Sequence, residues 1–237
     1  KKKVKKMKVV ILAGGKGSRL AELTSSIPKP MVKIGKIPII SRIINIYNKF
    51  GHNDFLIASG HKSKIINDYF TQNKKILKKN NIKIIFTGKD TMTGGRVKRL
   101  EKYLKNERFL LTYGDGLCDV DINKLLKFHI KSKNLVTLTA VRPPARFGGI
   151  KISGNKVKYF KEKSSLDEGW INGGFFVLEP GIFKFLKNDS TILERQPLES
   201  ISKLKKLGAY KHFNNWQCMD TIRDKQLLEN LIKKKIF

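Results

Sequence analysis

Apolar residues come along the chain in short runs that alternate with helical stretches, the pattern of an α/β protein built around a mostly parallel sheet. The first run, Lys8 to Ala13, enters a glycine-rich turn at Gly14 to Gly17. Pro38 then opens a helix in which Ile40, Ile43, Ile44 and Tyr47 share one face, and Gly51 closes it. A strand at Asp54 to Ser59, a helix at Ser63 to Phe70, a strand at Ile82 to Phe86, a helix at Gly95 to Leu104 and a strand at Phe109 to Tyr113 continue the alternation. Right-handed crossovers between parallel strands place such helices on both faces of the sheet.

After a helix near Ile122 to His129 and a strand at Leu135 to Val141, the pattern changes. Gly149 to Ile152 and Lys156 to Lys161, joined by Ser153-Gly154-Asn155, predict a β-hairpin. A strand at Ile171 to Leu178, a helix around Leu193 to Leu207, a short strand near Ala209 to Phe213 and a last helix from Asp220 to Lys234 follow. No repeat and no separating linker interrupts this series. Residues 8–237 therefore read as one domain with a small late β lobe, behind a basic extension, residues 1–7, expected to be disordered.

Composition narrows the class. With 237 residues, 40% of them hydrophobic and 29% charged, the chain can bury one sizeable core. Its longest apolar runs, such as Val9 to Leu12, are strand-length and fall short of the roughly 20 residues that span a bilayer. Lys1 to Lys8 is followed by no apolar signal region, so the expected location is cytoplasmic. Cys118 and Cys218 have no Cys or His cluster around them, which argues against a zinc site or a disulfide scaffold. The net charge of +31 suggests an anionic partner, yet only nine of the 50 basic residues are Arg and the lysines are scattered throughout. Arg is what planar, bidentate recognition favours. Without a helix-turn-helix, zinc-finger or aromatic RNA-binding pattern, nucleic-acid or polyanion binding is the remoter alternative, and a phosphate-bearing small substrate suits the same field.

The strongest chemical signal closes the first strand. Leu12-Ala13-Gly14-Gly15-Lys16-Gly17-Ser18-Arg19 puts three glycines and two cations into one turn, so that backbone N–H groups can form an anion-binding nest. The spacing is neither that of a Walker loop nor that of a dinucleotide fingerprint. Downstream, two prolines in Pro28-Lys29-Pro30-Met31 hold one lysine in a fixed direction.

Together these motifs resemble the signature of the sugar-1-phosphate nucleotidyltransferases. Thr87 to Arg96, Thr112-Tyr113-Gly114-Asp115-Gly116, Arg146-Phe147-Gly148, Ile171 to Leu178 and Trp216 to Lys225 narrow the resemblance to the glucose-1-phosphate cytidylyltransferases. The resemblance implies a Rossmann-like nucleotide-diphospho-sugar transferase fold and condensation of CTP with α-D-glucose 1-phosphate to CDP-glucose and pyrophosphate. It implies that Leu12, Ala13, Gly14, Gly15, Lys16, Gly17, Ser18 and Arg19 wrap the nucleotide, that Thr91, Arg96 and Gly114 complete its site, and that Lys29 and Arg19 carry the chemistry. Asp115 and Asp220 would hold Mg²⁺, and Glu162, Lys163 and Asn172 would meet the sugar phosphate. The plainer alternatives are a turn former for Asp115, a helix N-cap for Asp220 and a solvated strand end for Glu162 and Lys163. The four histidines lack a catalytic partner pattern.

The connection from Phe70 to Thr87 is about twenty residues shorter than the cytidylyltransferase pattern. That leaves UTP or dTTP with another sugar or alcohol phosphate as the nearest alternative, and homo-oligomerisation as an open expectation.

Overall fold

The computed structural model describes residues 6–143, 149–161 and 169–237. Seven strands form the central sheet: β1 (Lys8–Ala13), β2 (Asp54–Ser59), β3 (Asn81–Phe86), β4 (Phe109–Tyr113), β5 (Val136–Val141), β6 (Ile171–Leu178) and β7 (Leu207–Lys211). Their order is β7-β5-β6-β4-β1-β2-β3. Only β6 runs antiparallel to its neighbours in this sheet.

Parallel strands covered on both faces are continuously apolar, and β1 shows why. Val9, Ile11 and Ala13 face one core, which the helices Ile39–Asn48, Ser63–Gln72 and Ile122–Ser132 complete, whereas Val10 and Leu12 face the other, under the helices Thr93–Arg99 and Gln196–Lys203. A fully buried aliphatic side chain of this kind is worth about 1.5–3 kcal/mol. The α/β class and the mostly parallel sheet agree with the sequence, and β1, β2, β4 and β6 begin and end where their apolar runs do.

Departures have local causes. The expected helix Gly95 to Leu104 starts at Thr93 and is split into Thr93–Arg99 and Glu101–Leu104, with Leu100 between them at φ −92° and ψ 0°. The helix around Leu193 to Leu207 contracts to Gln196–Lys203, because Pro197 fits only a first turn and Lys205 takes a positive φ of 54°. Strand β7 consequently starts at Leu207, ahead of the expected Ala209. Helix Lys74–Lys79 has no buried residue, hence no apolar stripe by which the sequence could announce it.

Two short ladders also lie below the reach of periodicity: Lys33–Ile34 with Ile37–Pro38, and Gly116–Cys118 with Trp216–Cys218. The late lobe is the antiparallel hairpin Gly149–Ser153 and Lys156–Lys161. Among the described residues no helix is long and apolar enough to cross a membrane.

Candidate active site

Strand β1 lies between β2 and β4, so the chain leaves β1 toward one sheet edge and returns on its other side. A crevice opens beyond the carboxyl ends of the strands at such a switch point. Here it is a cavity of about 350 Å³ lined by Leu12 to Gly15, Gly17 to Arg19, Lys29, Pro30, Thr91 to Thr93, Arg96 and Tyr113 to Asp115. Gly17, at φ 68°, turns the glycine-rich segment into the short 3₁₀ turn Ser18–Leu20.

Arg96 fixes the floor of this cavity. Its buried guanidinium donates to the carbonyls of Gly14 (2.9 Å), Ser59 (3.2 Å) and Gly88 (2.8 Å) and to Thr87 Oγ1 (2.8 Å), stapling the ends of β1, β2 and β3. A Cβ on Gly14 would stand 2.1 Å from Arg96 Nη1, so this approach requires glycine. Burial, reinforced by Arg99, lowers the Arg96 pKa from its ordinary value. The guanidinium lines the cavity beside the glycine-rich turn and is already committed to backbone oxygens.

At the cavity's other end stands a charge cluster. Pro28 and Pro30 bracket the 3₁₀ turn Lys29–Met31, which aims Lys29 inward with its side chain 10% exposed. Lys29 Nζ donates to Asp115 Oδ2 and to Asp220 Oδ1, each at 2.7 Å, and Arg19 Nη1 reaches Asp220 Oδ2 at 2.9 Å. Burial alone would lower the Lys29 pKa, but the two carboxylates outweigh it and raise it above the usual lysine range. Burial likewise opposes ionisation of Asp220, and Lys29 and Arg19 more than compensate, holding its carboxyl below the usual range. Asp115 sits at the carboxyl end of β4, while Asp220 arrives through the ladder that pairs Cys218 with Gly116.

Asp220 does not cap the final helix. Thr221 is the N-cap of Ile222–Lys233, and Asp224 completes a capping box with it, so the Asp220 carboxylate is left for Lys29 and Arg19. Two carboxylates converging on one ammonium form a hard oxygen donor set of the kind that suits a divalent cation such as Mg²⁺. The nearby Cys218 thiol is pushed up to about 12, chiefly by burial and then by Asp220 and Asp115, so it stays a neutral thiol. Both cysteines are free.

The other expected residues fall unevenly. Lys16 points away from the cavity, 65% exposed, and pairs with Asp90 at 2.7 Å. Asn172 borders a small cleft of about 30 Å³ that shares Tyr113 and Asp115 with the main cavity. Glu162, Lys163 and the Arg146-Phe147-Gly148 motif lie outside the described residues. Trp216 is a packing residue whose indole N–H donates to Gly173 O at 2.8 Å. None of the four histidines lines the main cavity: His129 is bonded to Thr137 and Glu179, and His212 to Asp119. Tyr113 and Thr93 line the cavity beyond the expected set, although each lies inside one of the sequence motifs. Glu194 also falls outside that set, and no motif speaks for it.

A family model described as Nucleotidyl transferase matches residues 8–220. The glucose-1-phosphate cytidylyltransferase of Salmonella typhi is 42% identical over 248 aligned residues, covering 96% of each chain. The D-glycero-alpha-D-manno-heptose 1-phosphate guanylyltransferase of Campylobacter jejuni is 32% identical, covering 84% of this chain and 88% of that one. Among solved structures, HddC from Yersinia pseudotuberculosis superposes with a TM-score of 0.74 at 24% identity, covering 95% of this chain and 99% of that one.

Proposed function

The chain belongs to the nucleotidyl transferase family, and we propose that it transfers the cytidylyl group of CTP to α-D-glucose 1-phosphate, giving CDP-glucose and pyrophosphate. The observation that carries the reading is the Lys29 ammonium seated between Asp115 and Asp220 where the glycine-turn cavity meets the Asn172 cleft. The 42% identity to a glucose-1-phosphate cytidylyltransferase supports the choice of substrates.

A sugar phosphate is already anionic at neutral pH, so the reaction asks for no strong base. One of its phosphate oxygens forms a bond to the α-phosphorus of CTP, the bond from that phosphorus to the bridging oxygen breaks, and the electron pair leaves with pyrophosphate. The protein's work is alignment and charge neutralisation. The turn Leu12 to Arg19 wraps the nucleotide, with Arg96 holding its backbone and Thr91 and Gly114 closing the pocket. Arg19, 77% exposed at the cavity mouth and paired with Asp220, meets the departing phosphates. Lys29 gives two of its three N–H donors to carboxylates and keeps the third for a phosphate oxygen. Asp115 and Asp220 would hold Mg²⁺, which supplies further neutralisation of phosphate charge when bound. Glu162, Lys163 and Asn172 take the sugar phosphate.

Pyrophosphate release with Mg²⁺ and glucose 1-phosphate, measured for CTP, UTP, dTTP, ATP and GTP in parallel, tests the reading. Release with CTP alone is expected. Turnover with another nucleotide would keep the reaction and change the substrate, and silence with all five would overturn the reading. Light scattering on the same preparation settles whether the enzyme self-associates.

A further inference from the structure

Asn172 stands where β6 departs from regular pairing. The register against β5 shifts between Asn172 and Phe176, and Gly174 within the bulge takes φ 79°. A Cβ on Gly174 would lie 2.4 Å from Tyr113 Cδ2, so only glycine lets the bulge close onto that ring. The Asn172 amide is thereby doubly held: Oδ1 accepts from Gly174 N–H at 2.9 Å, and Nδ2 donates to the Tyr113 hydroxyl at 3.1 Å.

The network continues in one direction. Tyr113, whose pKa burial raises so that it remains a phenol, donates its hydroxyl hydrogen bond to Glu194 Oε1 at 2.5 Å. Thr93 Oγ1 accepts from Leu193 N–H at 2.9 Å and donates to Glu194 Oε2 at 2.6 Å. Both hydroxyls converge on Glu194, one at each carboxylate oxygen. Glu194 therefore sets the polarity of both arms, one ending at Thr93 on the nucleotide cavity and the other at Asn172 on the adjoining cleft.

We propose that Glu194, on the turn before helix Gln196–Lys203, is a positioning residue for the sugar phosphate: by holding the Tyr113 hydroxyl as a donor, it fixes the Asn172 amide toward the cleft beside Asp115. The proposal rests on the nucleotidyltransferase reading of the site, in which Asn172 meets the sugar. Asn172 retains one N–H and one lone pair for a hydroxyl of the hexose. Replacing Glu194 by glutamine preserves size but puts an N–H against a hydroxyl that already accepts one. Whichever hydroxyl the glutamine oxygen takes, Tyr113 loses its charged acceptor and one of the two hydroxyls faces an N–H.

The test is steady-state kinetics of Glu194→Gln, Tyr113→Phe and the double variant, with calorimetric titration of glucose 1-phosphate and thermal melts on each. Loss of a charge-assisted hydrogen bond predicts that Glu194→Gln raises KM for the sugar phosphate about tenfold, with KM for the nucleotide within about twofold. Tyr113→Phe, which removes the donor while leaving Glu194 in place, should shift the same constant. The double variant should be no worse than the more severe single one, because both cut one arm. Equal rises in both KM values, a fall in melting temperature with both KM values unchanged, or additive single effects would overturn the proposal. The two readings fail separately. If the wild-type enzyme prefers another nucleotide or sugar phosphate, the substrate assignment falls and the same KM split is read on the preferred pair. If the wild-type enzyme binds no sugar phosphate, both fall.

Discussion

On the proposed reading, the nucleotide half and the sugar half of the site are held by different means. The nucleotide half grows from the ends of parallel strands: the Leu12 to Arg19 turn leaves β1, the Arg96 staple joins β1, β2 and β3, and Asp115 ends β4. The sugar half hangs on β6, the one antiparallel strand of the sheet, through a bulge and a chain of side-chain hydrogen bonds. The hairpin that precedes β6 in the chain exposes Ile152, Val157 and Tyr159 to solvent. A buried guanidinium bonded to backbone carbonyls fixes the proposed phosphate-binding turn regardless of which substrate is present. A side-chain relay, in contrast, can be retuned by one residue, which suits the half that distinguishes one sugar from another.

The largest effect should come where the halves meet. Lys29→Ala is expected to lower kcat about 10²-fold or more, within the range for loss of one preorganised charge-stabilising group, with near wild-type turnover contradicting the assignment. Asp220→Asn comes next. It removes a carboxylate from the cation's donor set, and the Mg²⁺ concentration for half-maximal rate should rise by more than about tenfold, the lower bound for losing even an outer-shell partner. A magnesium titration of the rate checks this, with an unchanged midpoint excluding Asp220 as a ligand.

Arg96→Lys tests the clamp itself. A single ammonium nitrogen cannot reproduce the contacts that Arg96 spreads over Nη1 and Nη2, so stability should fall by about 2–3 kcal/mol, read as a melting temperature lower by roughly 5–10 °C. A variant that melts like the wild type but loses nucleotide affinity would make Arg96 a direct ligand instead. The smallest effect is expected at Thr221→Ala, where loss of the N-cap costs about 1 kcal/mol and lowers the melting temperature by roughly 2–4 °C. A simultaneous drop in kcat would mean that the capping box also orients Asp220.

The comparison also explains what the sequence could tell. Periodicity located every strand of the sheet, and the buried strands β1, β2, β4 and β6 match to the residue because their apolar runs are nearly unbroken, whereas β3, with no buried residue, and β7 have shifted bounds. The turn at Leu12 to Arg19, Lys29 and Asp115 were legible because each lies inside a compact motif, and the structure gathers them around one cavity, with Lys16 turned outward. Asp220 was reachable through resemblance alone. It lies 105 residues beyond Asp115 in the chain, and the ladder that joins them is three residues long on each side. Glu194 had no signal, since its meaning comes from two hydroxyls contributed by residues 81 and 101 positions away. Arg96 was legible as a site residue, whereas its hold on the backbone of three strands appears only in the fold.

The most direct test of the account is a ³¹P NMR time course of the wild-type enzyme with CTP, glucose 1-phosphate and Mg²⁺, run beside Lys29→Ala. The account predicts that CDP-glucose and pyrophosphate appear together in equal amounts and that the variant forms both at least about 10²-fold more slowly. Pyrophosphate without CDP-glucose, or equal rates in the two proteins, would contradict it.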